Sequence, residues 1–443
     1  MSDIAESLPF HLRGNYAPVT DEVTATDLAV EGSIPRELSG RYLRNGPNPK
    51  SGTSSHWFSG DGMVHGVRLA GGQAHWYRNR WVRTRPLLDD GVRLVGDDGT
   101  VDRTVGLANT NVIGHAGRFL ALVETSFPTE LTPELDTVGV CDFDGRLRTA
   151  MTAHPKPCPA TGELHFFGYG FFPPYLTYHR LDAAGRLVQS EEIAVPGPTM
   201  MHDFAITERH VVFMDLPVVF QPEHALAGER FPYGWSDDYG ARLGVMPRGG
   251  TNADVRWFEI EPCYVFHPLN AYDDGERLVV DVARYAELWR ESPNDFDPAG
   301  LHRWTIDLAA GRVAEQPLDD RPVEFPRVDD RLTGKRHRYG WAVENAANVG
   351  EAATRLVKYD LTTGAAQAHD FGPGRVPGEG VFVPAGNDAG EDEGWVLQYV
   401  YDATRDGSDL VILDAQRLGG APQAVVRLPQ RVPFGFHGNW VAD

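Results

Sequence analysis

The sequence is poor in cysteine, in basic residues and in long apolar runs, and each shortage excludes a class of protein. Its three cysteines, Cys141, Cys158 and Cys263, are scattered, so we expect no disulfide framework and a reducing compartment. Lys and Arg number 41 against 62 Asp and Glu, which leaves a net charge of -21 and argues against a nucleic-acid partner. No stretch is apolar enough to span a bilayer, and Met1–Arg13 lacks the pattern of a signal peptide, so we expect a cytoplasmic protein.

Linkers and low-complexity tracts are also missing, which predicts a single domain over residues 1–443. Hydrophobic residues make up 42% of the chain and aromatic residues 10%, enough to fill a large core. The 48 glycines and 32 prolines predict many tight turns between short strands. This composition favours an all-β fold.

One pattern recurs along the chain: a short strand, a turn containing Asp or Gly, and a second strand, which together predict a β-hairpin. Later copies lie roughly 50 residues apart, close to the repeat of a propeller blade. Helical periodicity is rare, and Tyr285–Arg290 is the best candidate helix. The predicted hairpins are Val140–Leu147, Tyr178–Leu187, Arg303–Val313, Lys358–Gln367 and Val411–Leu418.

Four of the sixteen histidines stand in apolar or Gly/Pro-rich contexts typical of strand ends: His154, His202, His267 and His437. None of them pairs with another at the spacing of a metal motif, so the residues alone leave both a structural and a ligand role open. A propeller would bring such remote residues together, because every innermost strand borders the central channel. His65 and His165 are assigned neither role, and the others fit ordinary surface or hydrogen-bonded histidines.

These segments resemble the carotenoid cleavage oxygenase family, and the resemblance runs from Arg41 to Trp440. It implies a seven-bladed β-propeller with loops and short helices capping one face. The position of Cys158 is often Asp in relatives, which argues against a ligand role for this thiol. Besides the four histidine segments, the matching stretches are Tyr42–Pro49, His56–Gly66, Glu324–Trp341, Gly378–Pro384 and Asp392–Asp402.

The resemblance also implies a ferrous ion, Fe²⁺, bound by His154, His202, His267 and His437. Imidazole suits ferrous iron, and four neutral ligands leave two positions of an octahedron for oxygen and substrate, whereas zinc prefers a closed tetrahedron. A metal-bound imidazole usually donates its other N–H to a carboxylate. By motif the carboxylates are Glu124, Glu324 and Glu379, and the sequence leaves open which glutamate serves which histidine.

An apolar alkene needs a dry, aromatic-lined route to the metal. The predicted tunnel residues are Phe58, Trp81, Phe166, Tyr169 and Phe171, with Phe167, Phe172 and Tyr175 as further candidates, and packing within a blade is an equally open role for each. Leu216–Phe220 and Phe231–Trp235 could instead form an exposed patch that makes peripheral contact with a membrane.

The implied reaction is cleavage of a carbon–carbon double bond of a carotenoid or apocarotenoid by O₂, which gives two carbonyl products. Cleavage of a stilbene or phenylpropene is the alternative; stilbene cleavers resemble one another in a lysine where this chain has Val123. A metal-dependent hydrolytic propeller and a non-catalytic binding propeller are the other open classes. Neither a GxGxxG unit between strand and helix nor a P-loop is present, so no nucleotide cofactor is expected.

Overall fold

Among the described residues, the regular secondary structure consists almost entirely of short strands. A computed structural model describes residues 8–89, 91–229, 231–293, 295–344 and 354–443. The first half contains β1 (Thr24–Ala25), β2 (Val30–Gly32), β3 (Gly40–Pro47), β4 (Gly62–Ala70), β5 (Gln73–Trp81), β6 (Asn111–His115), β7 (Arg118–Leu122), β8 (Thr129–Leu131), β9 (Thr137–Val140), β10 (Lys156–Pro157), β11 (Leu164–Tyr169), β12 (Leu176–Leu181), β13 (Leu187–Glu192), β14 (Ala205–Ile206), β15 (His210–Asp215) and β16 (Val218–Phe220). The second half contains β17 (Tyr233–Trp235), β18 (Arg242–Pro247), β19 (Arg256–Glu259), β20 (Tyr264–Asp274), β21 (Arg277–Tyr285), β22 (Gly300–Asp307), β23 (Arg312–Arg327), β24 (Tyr339–Glu344), β25 (Arg355–Asp360), β26 (Ala365–Asp370), β27 (Arg375–Pro377), β28 (Val381–Pro384), β29 (Gly394–Asp402), β30 (Gly407–Asp414), β31 (Ala424–Arg427) and β32 (Gly438–Ala442).

Within the described ranges these strands form seven antiparallel blades, and the predicted all-β, seven-bladed propeller is confirmed. In order along the chain, the blades begin with β3, β6, β10, β14, β20, β23 and β27. The 16-residue β23 is shared, because its first part pairs with β22 and its last part with β24. A separate hairpin of β16 and β17 lies outside the blades.

The two ends of the chain close the ring. Strand β32 pairs with β3, so that Gly40 lies opposite Ala442, and β2 adds to β31 in the preceding blade. Each end of the chain thus adds a strand to a blade built mainly from the other end, which holds the first and last blades together. The histidine at the C-terminal end is thereby brought to the same axis as the others.

Three of the five predicted hairpins are confirmed, namely those joining β12 to β13, β22 to β23 and β25 to β26. The turn after Val140 is not a hairpin, because β9 is the outer strand of its blade and the chain there returns to the axis. Strand β30 does pair with β31, but the partner begins at Ala424, beyond the predicted Val411–Leu418. Asp- and Gly-containing turns end strands in both situations, so the local signal cannot separate them.

The predicted helix at Tyr285–Arg290 is wrong. Tyr285 ends β21, the residues after it are irregular, and Trp289 has a φ of 54°, which a right-handed helix does not allow. The described residues contain helices α1 (Arg85–Leu88) and α2 (Pro222–Leu226), with 3-10 turns at Phe10–Leu12, Gly14–Tyr16, Trp57–Ser59, Asn252–Asp254 and Asp330–Leu332. None of the helices in the described ranges is long and apolar enough to cross a bilayer.

The core between neighbouring blades depends on large aromatic side chains. Trp341 on β24 is fully buried and stacks on Phe382 of β28, with ring centroids 4.7 Å apart and planes 7° from parallel. We expect Trp341→Ala to lower the free energy of unfolding by about 3–5 kcal/mol, because it removes this contact and leaves a cavity. Urea unfolding measures the loss. Trp341→Phe, which keeps a ring on Phe382, is expected to lose clearly less, and equal losses would contradict the stacking argument.

Candidate metal centre

The structure brings four imidazoles from remote parts of the chain to one point on the propeller axis. His154, His202 and His437 each lie just before an innermost strand, at β10, β14 and β32, while His267 lies on β20. One nitrogen of each lies within 4.8 Å of the others, and all four side chains are buried. A bulge in β20 between Val265 and Pro268 breaks the regular alternation at His267.

Three buried carboxylates hold three of these rings. Glu124 forms an ion pair with Nδ1 of His202, Oε2 of Glu324 lies 2.6 Å from Nδ1 of His267, and Oε1 of Glu379 lies 3.3 Å from Nδ1 of His437. In each of these three pairs the Nδ1–H donates to the glutamate, which leaves Nε2 of the ring free. The Nε2 atoms of His202 and His267 lie 3.4 Å apart. The pairing that the sequence left open is thus read from the structure.

His154 differs from the other three because no glutamate holds it. Its Nδ1 lies 3.8 Å from Oδ2 of Asp203, too far for a direct hydrogen bond, and its Nε2 is buried without a hydrogen-bond partner. An unpaired nitrogen in such a place is costly unless a ligand fills the gap. The four convergent imidazole nitrogens therefore fit a divalent transition metal.

For two of the four imidazoles, those of His154 and His267, burial favours the neutral form, which is the form that binds metals. Burial lowers the pKa of His154 well below its usual value, and the neighbouring imidazoles lower it further. Burial also lowers the pKa of His267, with Glu324 opposing it. For His202 burial is outweighed by Glu124, and its pKa is raised. Burial would raise the pKa of Glu379, but Arg327 and His437 reverse this and lower it to about 2.

Two tyrosines and the backbone amides of Phe325 and Gly438 fix the carboxylates in turn. The hydroxyl of Tyr169 donates to Oε2 of Glu124 at 2.5 Å, and that of Tyr285 donates to Oε1 of Glu324 at 3.1 Å. The N–H of Gly438 donates to Oε2 of Glu379 at 2.7 Å. Sequence reasoning missed these supports, since it placed Tyr169 only in the tunnel and Tyr285 in a helix. No local pattern marks a tyrosine as the partner of a distant glutamate.

A large apolar cavity of about 1410 Å³ adjoins the histidines on the capped face of the propeller. His202, His267 and His437 line it, and so do residues of α1, α2 and the turn at Trp57–Ser59. Of the predicted tunnel residues, Phe58, Tyr169, Phe171 and Phe172 line this cavity.

Trp81 and Phe166 do not line the cavity, and their assignment to the tunnel is wrong. Phe166 lies on the face of β11 opposite Tyr169 and packs inside the core, because successive strand residues point to opposite faces. Trp81 packs against Met63 and donates its indole N–H to the carbonyl of Asn48 at 2.9 Å. The further candidates Phe167 and Tyr175 are also absent from the lining.

The comparisons with known proteins agree with this geometry. The family described as retinal pigment epithelial membrane protein matches residues 16–442. A carotenoid cleavage oxygenase of Mycobacterium tuberculosis is 44% identical over 98% of both chains. The chain belongs to the carotenoid cleavage oxygenase family. Two solved structures of its members, each with a TM-score of 0.88, are similar to it: a lignostilbene dioxygenase of Pseudomonas brassicacearum, 34% identical over 99% of this chain and 100% of that one, and a cobalt-substituted Synechocystis ACO, 28% identical over 98% of both.

The other candidate residues of the sequence, Cys158, His65 and His165, lie apart from the cluster of four histidines. Cys158 is outside the metal-ligand group found among the described residues, and its Sγ accepts a hydrogen bond from Arg248 at 3.0 Å. The buried His65 and His165 are held by tyrosine hydroxyls, at 2.9 Å and 2.6 Å respectively. Both are therefore structural histidines of their blades.

Proposed function

We propose that this protein is a non-haem Fe²⁺ dioxygenase that splits a carbon–carbon double bond of a carotenoid or apocarotenoid with O₂ into two carbonyl products. The observation that carries the proposal is the meeting of four buried imidazoles within 4.8 Å beside an apolar cavity of about 1410 Å³. The proposed ligands are His154, His202, His267 and His437, oriented by Glu124, Glu324 and Glu379.

Ferrous iron is preferred over other metals because of the ligand set. Calcium would require several oxygen ligands, and zinc favours a closed tetrahedral site, whereas four imidazoles on an open face suit iron. A bound ferrous ion would supply the activation of O₂ that the side chains cannot provide. Each Glu–His pair would fix the tautomer and the orientation of its imidazole, with Nε2 left free to bind the ion.

The cavity supplies the remaining functions of the protein. Its aromatic side chains, such as Phe58 and Phe171, offer faces on which a conjugated chain can lie, and they exclude water from the reaction. The bond to be cleaved is then selected by how far the substrate slides before its end meets the cavity wall. The proposed catalytic residues are the metal ligands alone, and no side chain needs to act as an acid or base.

Val123 favours a carotenoid or apocarotenoid over a stilbene as the substrate. This valine lines the cavity directly before Glu124, where a cation would be needed to bind a phenol. The higher identity to the mycobacterial carotenoid cleavage oxygenase, 44% against 34% for the lignostilbene dioxygenase, points the same way. The equally close fold of the latter, at a TM-score of 0.88, keeps aryl-alkene cleavage as the second candidate.

We also propose peripheral membrane contact at the rim of the cavity. Leu226 on α2 is 90% exposed and Phe172 is 54% exposed, and both line the cavity. Apolar side chains standing in solvent at the mouth of an apolar cavity suit collection of a lipid-soluble substrate. The patch differs from the expected one, because Leu216 and Val218 are buried and residues 231–235 are only partly exposed.

The proposal is tested by supplying iron-loaded protein with carotenoids, apocarotenals, stilbenes and phenylpropenes, and following O₂ consumption and product masses. We expect paired carbonyl fragments from at least one carotenoid or apocarotenal and little turnover of stilbenes. Turnover of phenolic stilbenes alone would transfer the assignment to the second candidate. Iron bound without cleavage of any alkene would overturn the reaction.

A further inference from the structure

A second cavity, of about 190 Å³, reaches the histidine cluster from the side opposite the apolar cavity. His154, His267 and His437 line it, and His202 does not. In the apolar cavity the reverse holds, since His202 lines it and His154 does not. The cluster therefore lies between two cavities, and each of these two histidines faces only one of them.

This second cavity, called here the axial cavity, follows the central channel of the propeller. Its walls include residues of the innermost strands β6, β14, β20 and β32. Pro157 and Asp330 line it and are exposed, and Thr333, which also lines it, is half-buried. The axial cavity thus opens to solvent on the face away from α1 and α2.

The walls of the axial cavity are charged and held in place. Lys156 lies 2.7 Å from Asp203, and Arg327 lies 3.4 Å from both Asp330 and Glu379. Three carboxylates and two cations therefore face a space large enough for several water molecules. Further amide groups on these walls are tied down by hydrogen bonds of 2.7–3.0 Å, from Asn111 to Ala153, from Asn270 to Leu332 and Lys335, and from Asn439 to Val112.

We infer that the axial cavity is the route by which a hydrated divalent metal ion reaches and leaves the four histidines, while the apolar cavity serves the substrate. A dication with its water shell meets mainly apolar walls in the apolar cavity, where few groups offset its charge, so its transfer there is costly. The axial cavity keeps that shell and supplies carboxylates along the way. Its inner end offers Nε2 of His154, the nitrogen without a partner, as a first protein ligand. The inference rests on the proposed function only in taking the histidines as a metal site.

A reversible plug at the mouth tests this route. The three native cysteines are buried, so Thr333→Cys provides a single half-exposed thiol for a bulky methanethiosulfonate reagent. Metal-free protein is mixed with Co²⁺ alone, and bound cobalt is measured at successive times. We expect the labelled variant to take up cobalt about tenfold more slowly than the unlabelled one, equivalent to about 1.4 kcal/mol on the barrier. The final stoichiometry is expected to be unchanged, and removal of the label by dithiothreitol is expected to restore the rate.

Leu226→Cys, labelled with the same reagent, is the matched control at the rim of the apolar cavity. Its cobalt uptake is expected to equal that of the unlabelled protein. Equal rates for labelled and unlabelled Thr333→Cys, or slow uptake by labelled Leu226→Cys, would overturn the route. Because no alkene is present, such a result leaves the reaction untouched, whereas a protein that binds no cobalt at all would remove both the metal site and the route.

Discussion

Alanine in place of His267 is expected to leave the protein without stoichiometric iron and without measurable alkene cleavage. His267 lines both cavities, and its Nε2 lies 3.4 Å from that of His202, so its loss opens the centre of the cluster. The variant also leaves Glu324 as a buried carboxylate without its imidazole partner. Metal analysis after loading with Fe²⁺ and product analysis by mass are the two measurements.

Damage from removing any buried histidine must be separated from loss of the metal. His165→Ala is the matched control, since His165 is fully buried and bonded to Tyr178 but lies outside the cluster. This control is expected to lose stability while it still binds one iron per chain. Glu324→Gln is expected to bind iron about 10–100-fold more weakly than the wild type, because the ring of His267 remains but is held less firmly. Its loss of iron binding should therefore lie between those of the two alanine variants. Full iron occupancy in His267→Ala, with circular dichroism unchanged, would refute the proposed site.

The sequence predicts the propeller fold correctly but predicts only some of the individual hairpins. Regular strand–turn–strand patterns and many glycines and prolines indicate a propeller, and the family resemblance adds the number of blades. The predicted bounds of individual hairpins are wrong where the same turn pattern occurs both within a hairpin and at the end of a blade. The turn after Val140 ends the outer strand of a blade, whereas the similar turn after Leu181 joins two paired strands. Only the arrangement of the strands in the closed ring distinguishes these two kinds of turn.

The four histidines could be named from the resemblance, but their carboxylate partners could not be assigned. His202 and Glu124 are 78 positions apart, and their contact depends on how neighbouring blades meet at the axis. The tunnel shows the same limit. Phe166 and Tyr169 belong to one aromatic run, yet strand alternation sends one into the core and the other to the cavity and to Glu124.

A lysine in place of Val123 is expected to reduce the cleavage of apolar carotenoids by about tenfold or more, equivalent to at least about 1.4 kcal/mol on kcat/KM. Val123 is half-buried, lines the apolar cavity and precedes Glu124. An ammonium group there must either stay poorly solvated among apolar side chains or pair with Glu124 and weaken its hold on His202. Both outcomes oppose an apolar substrate.

Val123→Met separates the effect of charge from that of size, because methionine fills similar space without a charge. It is expected to keep carotenoid cleavage within a few-fold of the wild type. A hydroxystilbene offers the lysine a phenol oxygen, so Val123→Lys should raise the ratio of hydroxystilbene to carotenoid turnover, while Val123→Met should not. Equal changes in the two variants would mean that space alone acts at this position. A ratio of hydroxystilbene to carotenoid turnover that changes only in the lysine variant would show that the charge of residue 123 determines whether the site prefers polyenes or phenols.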